Sequence, residues 1–287
     1  MPLPPFAFAG AHAVLTGAAS GMGERMAYQL ADRGTHLVLV DRDADRLAAV
    51  AERVRAGHPA LEVRTEVADL AEDAEVQALL VRVLAAVPHV DLLVNNAGVA
   101  LGGTFLDVSA EEFDWVMAVN FRAPVALCRG LLASGAMGQG GHVVNVSSVF
   151  GLIGPPGQAA YCSSKYALRG FSEVLRHELA PRGIGVTTVH PGGVRTRIAT
   201  TARVPASASA DEAARATAAF DRLLTYPADK AAARILDAAG RRRARVLVAA
   251  SAVLPDLLVR LAPTGYWRVL TALRPGTARR ALEGLRR

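Results

Sequence analysis

Tyr161 and Lys165 stand four residues apart where a helical pattern begins, so their side chains share one helix face. A phenol beside a fixed ammonium makes a proton donor and acceptor near neutral pH. The cation favours phenolate and lowers a pKa that is otherwise about 10. The chain carries 32 Lys and Arg but only two lysines, Lys165 and Lys230, so this pairing is an uncommon coincidence. An apolar, strand-like run, residues 142–146, delivers Ser147 and Ser148 ahead of the pair, across a Gly/Pro-rich loop. A hydroxyl at that strand end can hold a substrate oxygen while the phenol moves its proton. Taken alone, the same stretch also reads as a turn followed by a helix with two surface neighbours.

The elements around this stretch decide between those readings. A short apolar strand at 12–15 runs into the Gly-rich turn 16–23 and then a helical pattern at 24–33. Strand, Gly-rich turn and helix is the context a dinucleotide site requires. Gly17 permits the tight turn, Gly21 lets the backbone approach a pyrophosphate, and Gly23 lets the helix pack close to the strand. The second strand, 35–40, ends at Asp41, placed to accept from the adenosine ribose hydroxyls and repel a 2′-phosphate, or to cap the helix at 44–56. Arg42 follows and could pair with a 2′-phosphate. A third strand, 61–67, leads to Asp69, which reads as an adenine-edge contact or as an N-cap for the helix at about 72–87. A fourth, 90–94, ends in Asn95, Asn96, Ala97 and Gly98, short residues at the strand end where an open α/β sheet binds its ligand. A helix at 109–132 carries Asn120 among apolar neighbours, so its amide needs a partner. The helix of Tyr161 extends to about residue 180, and strands at 185–189 and 246–249 follow. The alternation predicts a doubly wound, Rossmann-type parallel sheet of seven strands, α/β in class, with helices on both faces. Residues 1–250 form one such domain, with a mobile cover at about 197–225, and 251–287 form a basic, amphipathic helical extension.

Composition narrows the setting. At 287 residues with 52% hydrophobic content, the chain can bury a large core. Cys128 and Cys162 give no disulfide framework and no metal-ligand spacing, so a reduced, cytoplasmic setting and no metal are expected. No signal peptide and no uncharged spanning run of about 18 residues are read in the sequence. The net charge of +6 is uneven: residues 240–287 hold eleven arginines against Asp256 and Glu283, a net of +9, which leaves −3 elsewhere. That distribution and an aromatic content of 5% argue against a nucleic-acid-binding face.

Taken together, the chain resembles the short-chain dehydrogenase/reductase superfamily, in its single-domain NAD(P)-dependent branch. The resemblance spans about residues 11–196 and rests on Thr16, Gly17, Gly21 and Gly23, on Asn95 to Gly98, on Asn120, on Ser148 with Tyr161 and Lys165, and on Pro191-Gly192. It implies Tyr161 as general acid/base, Lys165 as the cation that lowers its pKa and bonds the nicotinamide ribose, Ser148 as the residue holding the substrate oxygen, and Asn120 as support for a water. It implies a cofactor along Gly17, Ser20, Gly21, Met22 and Gly23, Asp41 and Arg42, Asp69 and Leu70, Asn96, Ala97 and Gly98, then Pro191, Gly192, Val194 and Thr196, with Tyr161 and Lys165 beside it. Asp41, and the lack of a basic residue at Ser20, point to NAD over NADP. Homodimers or homotetramers through the helices at 109–132 and 160–180 are implied as well.

The expected reaction interconverts an apolar secondary alcohol and its ketone. Ser148, Phe150, Gln158 and Tyr161 would meet the substrate, in a pocket lined by Val99, Leu101, Val149, Phe150, Leu152, Ile153 and Val194. A non-catalytic nucleotide sensor, or an epimerase or dehydratase on the same scaffold, are the alternatives. In the extension, Leu254, Leu257, Leu258 and Leu261 mark one helix face, broken at Pro263, before Tyr266, Trp267, Val269, Leu270 and Leu273 among Arg260, Arg268 and Arg274. Such a tail lies on an anionic membrane surface or packs on its own domain or a second subunit.

Overall fold

Successive residues of a strand face opposite sides of its sheet, and here both sides are apolar. Ala13 and Leu15 of β1 (His12–Thr16), Leu37 and Leu39 of β2 (His36–Asp41) and Val144 and Val146 of β5 (His142–Val146) enter one buried cluster. Val14, Val38, Val40 and Val143 enter another on the opposite face. The computed structural model describes residues 3–273. The remaining strands are β3 (Val63–Val67), β4 (Leu92–Asn95), β6 (Gly185–Pro191) and β7 (Arg245–Val248). All pairings are parallel, in the order β3-β2-β1-β4-β5-β6-β7.

Helices α1 (Gly21–Ala31), α2 (Ala44–Gly57) and α8 (Ala228–Gly240) cover the first face, and α3 (Asp73–Ala86), α5 (Ala123–Ala133) and α6 (Ala159–Leu179) cover the second. Helix α4 (Ala110–Met117) opens with a capping box between Ser109 and Glu112 and runs through a π-helical turn, Ala118–Arg122, into α5. The stretch Ala110–Ala133 is long and apolar enough to cross a membrane by length and composition, but half of it is buried inside the protein. The strand order reverses its direction of growth between β1 and β4, and a cleft opens there at the carboxyl ends of the strands.

Residues 197–225, expected as a mobile cover, fold over the cleft and contain α7 (Ala210–Asp221), capped by Ser209. Contacts tie them to the body of the domain. Arg203 pairs main chain with Ala100 and Gly102 and lays its guanidinium 3.8 Å over the Trp115 ring. Ala206 donates to the Glu112 carboxylate at 3.0 Å.

The extension is described as far as α9 (Ala250–Leu261) and α10 (Tyr266–Leu273); Arg274 and the arginines beyond it lie outside the described residues. Ala249, a residue expected in the last strand, is held at φ +73° and stands as the N-cap of α9. The helix packs on the domain through Ala252 and through Asp256, which pairs with Arg245 and Arg260. Tyr266 accepts from the Gly154 amide at 2.8 Å. The face that seats the helix is therefore not the leucine face: Leu254, Leu257 and Leu261 are exposed.

Candidate active site

Ser147 and Ser148 follow β5 directly and have separate tasks. The Ser147 hydroxyl donates to the Lys165 carbonyl at 2.8 Å, tying the strand end to α6. The Ser148 hydroxyl accepts from the Phe150 amide at 3.1 Å, which opens a short 3-10 turn, and hydrogen-bonds Tyr161. Lys165 reaches back under Tyr161, with Nζ donating to the Val146 carbonyl at 3.1 Å and lying 5.7 Å from the phenol ring centroid. Ser148, Tyr161 and Lys165 are all buried and line the cleft together.

Charge behaves differently from the expectation. Burial pushes the Tyr161 phenol up to about 12, against the opposing pull of its hydrogen bond from Ser148. Burial likewise pushes Lys165 down to about 8. The phenol is therefore raised and not lowered: loss of solvation outweighs the hydrogen bond from Ser148.

Asn120 sits in the π-helical turn, and its amide is fully used by neighbours. Oδ1 accepts from the Val99 amide at 2.9 Å, while Nδ2 donates to the Val99 carbonyl and to Ser164 Oγ, both at 3.0 Å. It fastens the segment after β4 to α6. A Cβ at Gly98 would lie 3.2 Å from Lys165 Nζ and 3.3 Å from Asn120 Oδ1, so this glycine lets the two polar groups converge.

The Gly-rich turn is held from several sides. Gly17 has φ +68°, and its Cα faces Ala97 too closely for any side chain. Asn96 Nδ2 donates to the carbonyls of Thr16 and Gly17 at 3.0 and 3.2 Å, and Thr16 Oγ1 accepts from the amides of Asn96 and Ala97, both at 3.0 Å. Asp41 accepts from the Ala19 amide at 3.0 Å and from its neighbour Asp43 at 3.1 Å. Asp41 is not the cap of α2; Asp43 is, accepting from the Arg46 amide. Asp69 does not cap α3 either, since that helix begins after Glu72. It accepts from the Ala71 amide at 2.9 Å and lies 3.8 Å from Arg42.

The cleft, about 460 Å³, brings together most of the expected residues. Gly17, Ser20, Gly21, Met22, Asp41, Arg42, Asp69, Leu70, Asn96, Ala97 and Gly98 line one end, and Ser148, Phe150, Tyr161, Lys165, Pro191, Gly192, Val194 and Thr196 the other. Gly23, Asn120 and Gln158 do not line it. Gly23 is buried where a Cβ would overlap the Gly17 carbonyl, the helix-packing role expected of it. Gln158 instead bridges to Gly103. Leu101, Leu152 and Ile153 turn into the core, whereas the cover supplies Ile198, Phe220, Leu223 and Leu224, which the sequence did not single out.

The residues present fit an extended nucleotide. Ser20 makes no side-chain cap at the start of α1, so the first-turn amides face the cleft without a partner from that side chain. A Cβ at Gly21 would meet Thr196 at 3.0 Å, so the turn and Thr196 approach closely. Two positioning groups were missed. His190 Nδ1 bonds the Ser148 carbonyl at 3.0 Å, and Asn145 joins Asn95 to Ser172 at 2.8 and 2.9 Å beneath the site. Neither carries a local sequence signal, because a polar residue within an apolar strand reads as an interruption.

Residues 11–206 match the model of the short chain dehydrogenases. The chain belongs to this family. A short-chain dehydrogenase of Burkholderia phymatum, solved in complex with NAD, superposes with a TM-score of 0.81 at 31% identity, covering 89% of this chain and 95% of that one. One of Sphingobium yanoikuyae, in complex with NADPH, superposes at 0.71 with 29% identity over 93% and 94% of the two chains. SadH of Mycobacterium tuberculosis, assigned as an oxidoreductase, is 35% identical over 268 residues, 92% of this chain and 95% of its own. The short-chain dehydrogenase fold and its oxidoreductase class therefore extend over nearly the whole described chain.

Proposed function

We propose that this dehydrogenase interconverts an apolar secondary alcohol and its ketone with NAD, NADP being the poorer cofactor. The observation that carries the reading is the buried Ser148–Tyr161–Lys165 cluster, which faces the same cleft as the Gly-rich turn. The nicotinamide supplies the hydride acceptor or donor; the protein must place the carbon and handle one proton. In reduction Tyr161 gives its phenol proton to the substrate oxygen, and in oxidation the phenolate form takes the carbinol proton back. Ser148 shares the substrate oxygen, whose charge develops during transfer. Lys165 supplies the positive charge beneath the ring. The apolar lining from Val99, Val149, Phe150 and the cover supports an apolar substrate.

Asp41 supports the preference for NAD, because its carboxylate sits in the wall of the cleft where a 2′-phosphate would be repelled. Arg42 lies near Asp69, so part of its charge is already balanced. The deciding experiment is a panel of alcohols and ketones followed at the NADH absorbance with NAD and with NADP. Turnover of apolar secondary alcohols with NAD supports the proposal; binding of NADH with no turnover across the panel favours the nucleotide-sensor alternative.

Two partner assignments belong to the same proposal. Tyr166 and Val174 of α6 are exposed, which supports a homo-oligomer through that helix, checked by light scattering. The exposed leucines of α9 beside Arg260, in a tail rich in arginine, support peripheral contact with anionic lipid by a cytoplasmic protein.

A further inference from the structure

The end of the sheet opposite the cleft, at the amino termini of its strands, gathers three of the chain's seven histidines. His12 opens β1, His36 opens β2, and His89 with Asp91 precedes β4. The His12 ring stacks on His36 with centroids 4.8 Å apart and meets His89 edge-on at 4.9 Å. Asp91 is fixed by the His12 amide, which donates to its Oδ2 at 2.8 Å. The same oxygen lies 3.2 Å from His89 Nε2 and 4.0 Å from His12 Nδ1. One ligand atom from each of His12, His89 and Asp91 falls within 4.8 Å of the others.

We propose that His12, His89 and Asp91 form a binding site for a divalent transition-metal ion of the Zn²⁺ type, separate from the dehydrogenase cleft. His12 Nδ1 is buried and has no hydrogen-bond partner in the protein. A buried ring nitrogen left unpaired is unfavourable, and a metal ion satisfies it. Tetrahedral Zn²⁺ with bonds of about 2.0–2.1 Å spaces its ligand atoms about 3.3 Å apart, so the observed spacings need only small side-chain shifts. Two imidazoles and a carboxylate suit Zn²⁺, Co²⁺ or Ni²⁺ better than Mg²⁺ or Ca²⁺, which prefer oxygen. His36 is oriented by the Glu62 amide, which donates to its Nδ1 at 2.9 Å, so it backs the His12 ring. The side chains of His89 and Asp91 are 53% and 31% exposed, which leaves a path for the ion and for a water as fourth ligand. The expectation of no metal rested on cysteine spacing; these ligands are distant in sequence and meet only because β1 and β4 pair.

The test is isothermal titration of EDTA-stripped full-length protein with Zn²⁺, beside His89→Gln and a control, His58→Gln, on another surface histidine that pairs with Asp32. The expected result is one ion per chain at a Kd of about 10 µM or tighter, weakened at least about tenfold in His89→Gln and unchanged in His58→Gln. Thermal unfolding with Zn²⁺ should shift upward by a few degrees in wild type and not in His89→Gln. His89 is exposed, so its variant should fold normally. No binding by wild type at about 100 µM Zn²⁺, or equal affinity in His89→Gln, overturns the proposal.

Discussion

The hydroxyl of Ser147 donates to the main-chain carbonyl of Lys165 at 2.8 Å, while Lys165 Nζ donates to the carbonyl of Val146 at 3.1 Å. Two reciprocal links thus join the end of β5 to the first turns of α6. They fix the distance between Ser148 on the strand side and Tyr161 on the helix side. The two adjacent serines should therefore respond differently to mutation. Ser148→Ala should lower kcat by about 10²–10³ with little change in Tm. Ser147→Ala should cost about 1 kcal/mol of stability and affect turnover less. Steady-state kinetics and thermal melts of both variants check this contrast.

Tyr161→Phe should lose nearly all hydride transfer while binding NADH within a few-fold of wild type. Fluorescence titration with NADH and a single-turnover assay separate the two. Retained turnover would falsify the proton role of Tyr161.

Lys165 has a stability signature of its own. Its folded pKa, about 8, lies below the usual value of about 10.4, so between these the unfolded chain binds more protons. Its contribution therefore raises stability as pH climbs from about 8 to 10.4, and the buried ammonium costs roughly 3 kcal/mol at lower pH. Lys165→Met should be inactive yet no less stable than wild type at pH 7. Urea unfolding at pH 7 and pH 9.5 should show the difference narrowing as pH rises.

His142 and His190 set the acid limit. Burial pushes them down to about 3 and about 4. Both are neutral in the folded protein and take up protons on unfolding below about pH 6.5. Stability present above that pH is lost as pH falls, by roughly 3 kcal/mol for each histidine at pH 4. Denaturation curves from pH 7 to pH 4 should show it, with a shallower slope in His142→Asn.

The exposed leucines of α9 predict flotation with anionic vesicles. Deleting the whole extension is a poor test, because it removes Asp256 from its pair with Arg245. Leu257→Ser/Leu261→Ser keeps that pair, since both leucines are exposed. Several-fold more wild type than double variant should float with phosphatidylglycerol vesicles, and neither with phosphatidylcholine. Equal flotation would remove the lipid assignment.

For cofactor choice, Asp41→Ala should shift the NAD/NADP ratio of kcat/KM toward NADP by about tenfold. An unchanged ratio would leave Asp41 only its bonds to the amides of Ala19 and Asp43.

The strand–helix alternation, the Gly-rich turn and the spacing of Ser148, Tyr161 and Lys165 were all legible in the sequence. Each rests on local periodicity or on a backbone conformation that only glycine adopts freely, as at Gly17. Tertiary structure alone decided which side of each residue faces the cleft. It turned Leu101, Leu152 and Ile153 inward and brought Phe220 and Leu224 to the site from residues far along the chain. It separated Ser147 from Ser148, gave Asn120 its bonds to Val99 and Ser164, and raised the Tyr161 phenol where spacing alone implied a lowered one. It also assembled His12, His89 and Asp91 at the opposite end of the sheet. Burial and long-range pairing are properties of the packed chain, and the order of residues does not display them.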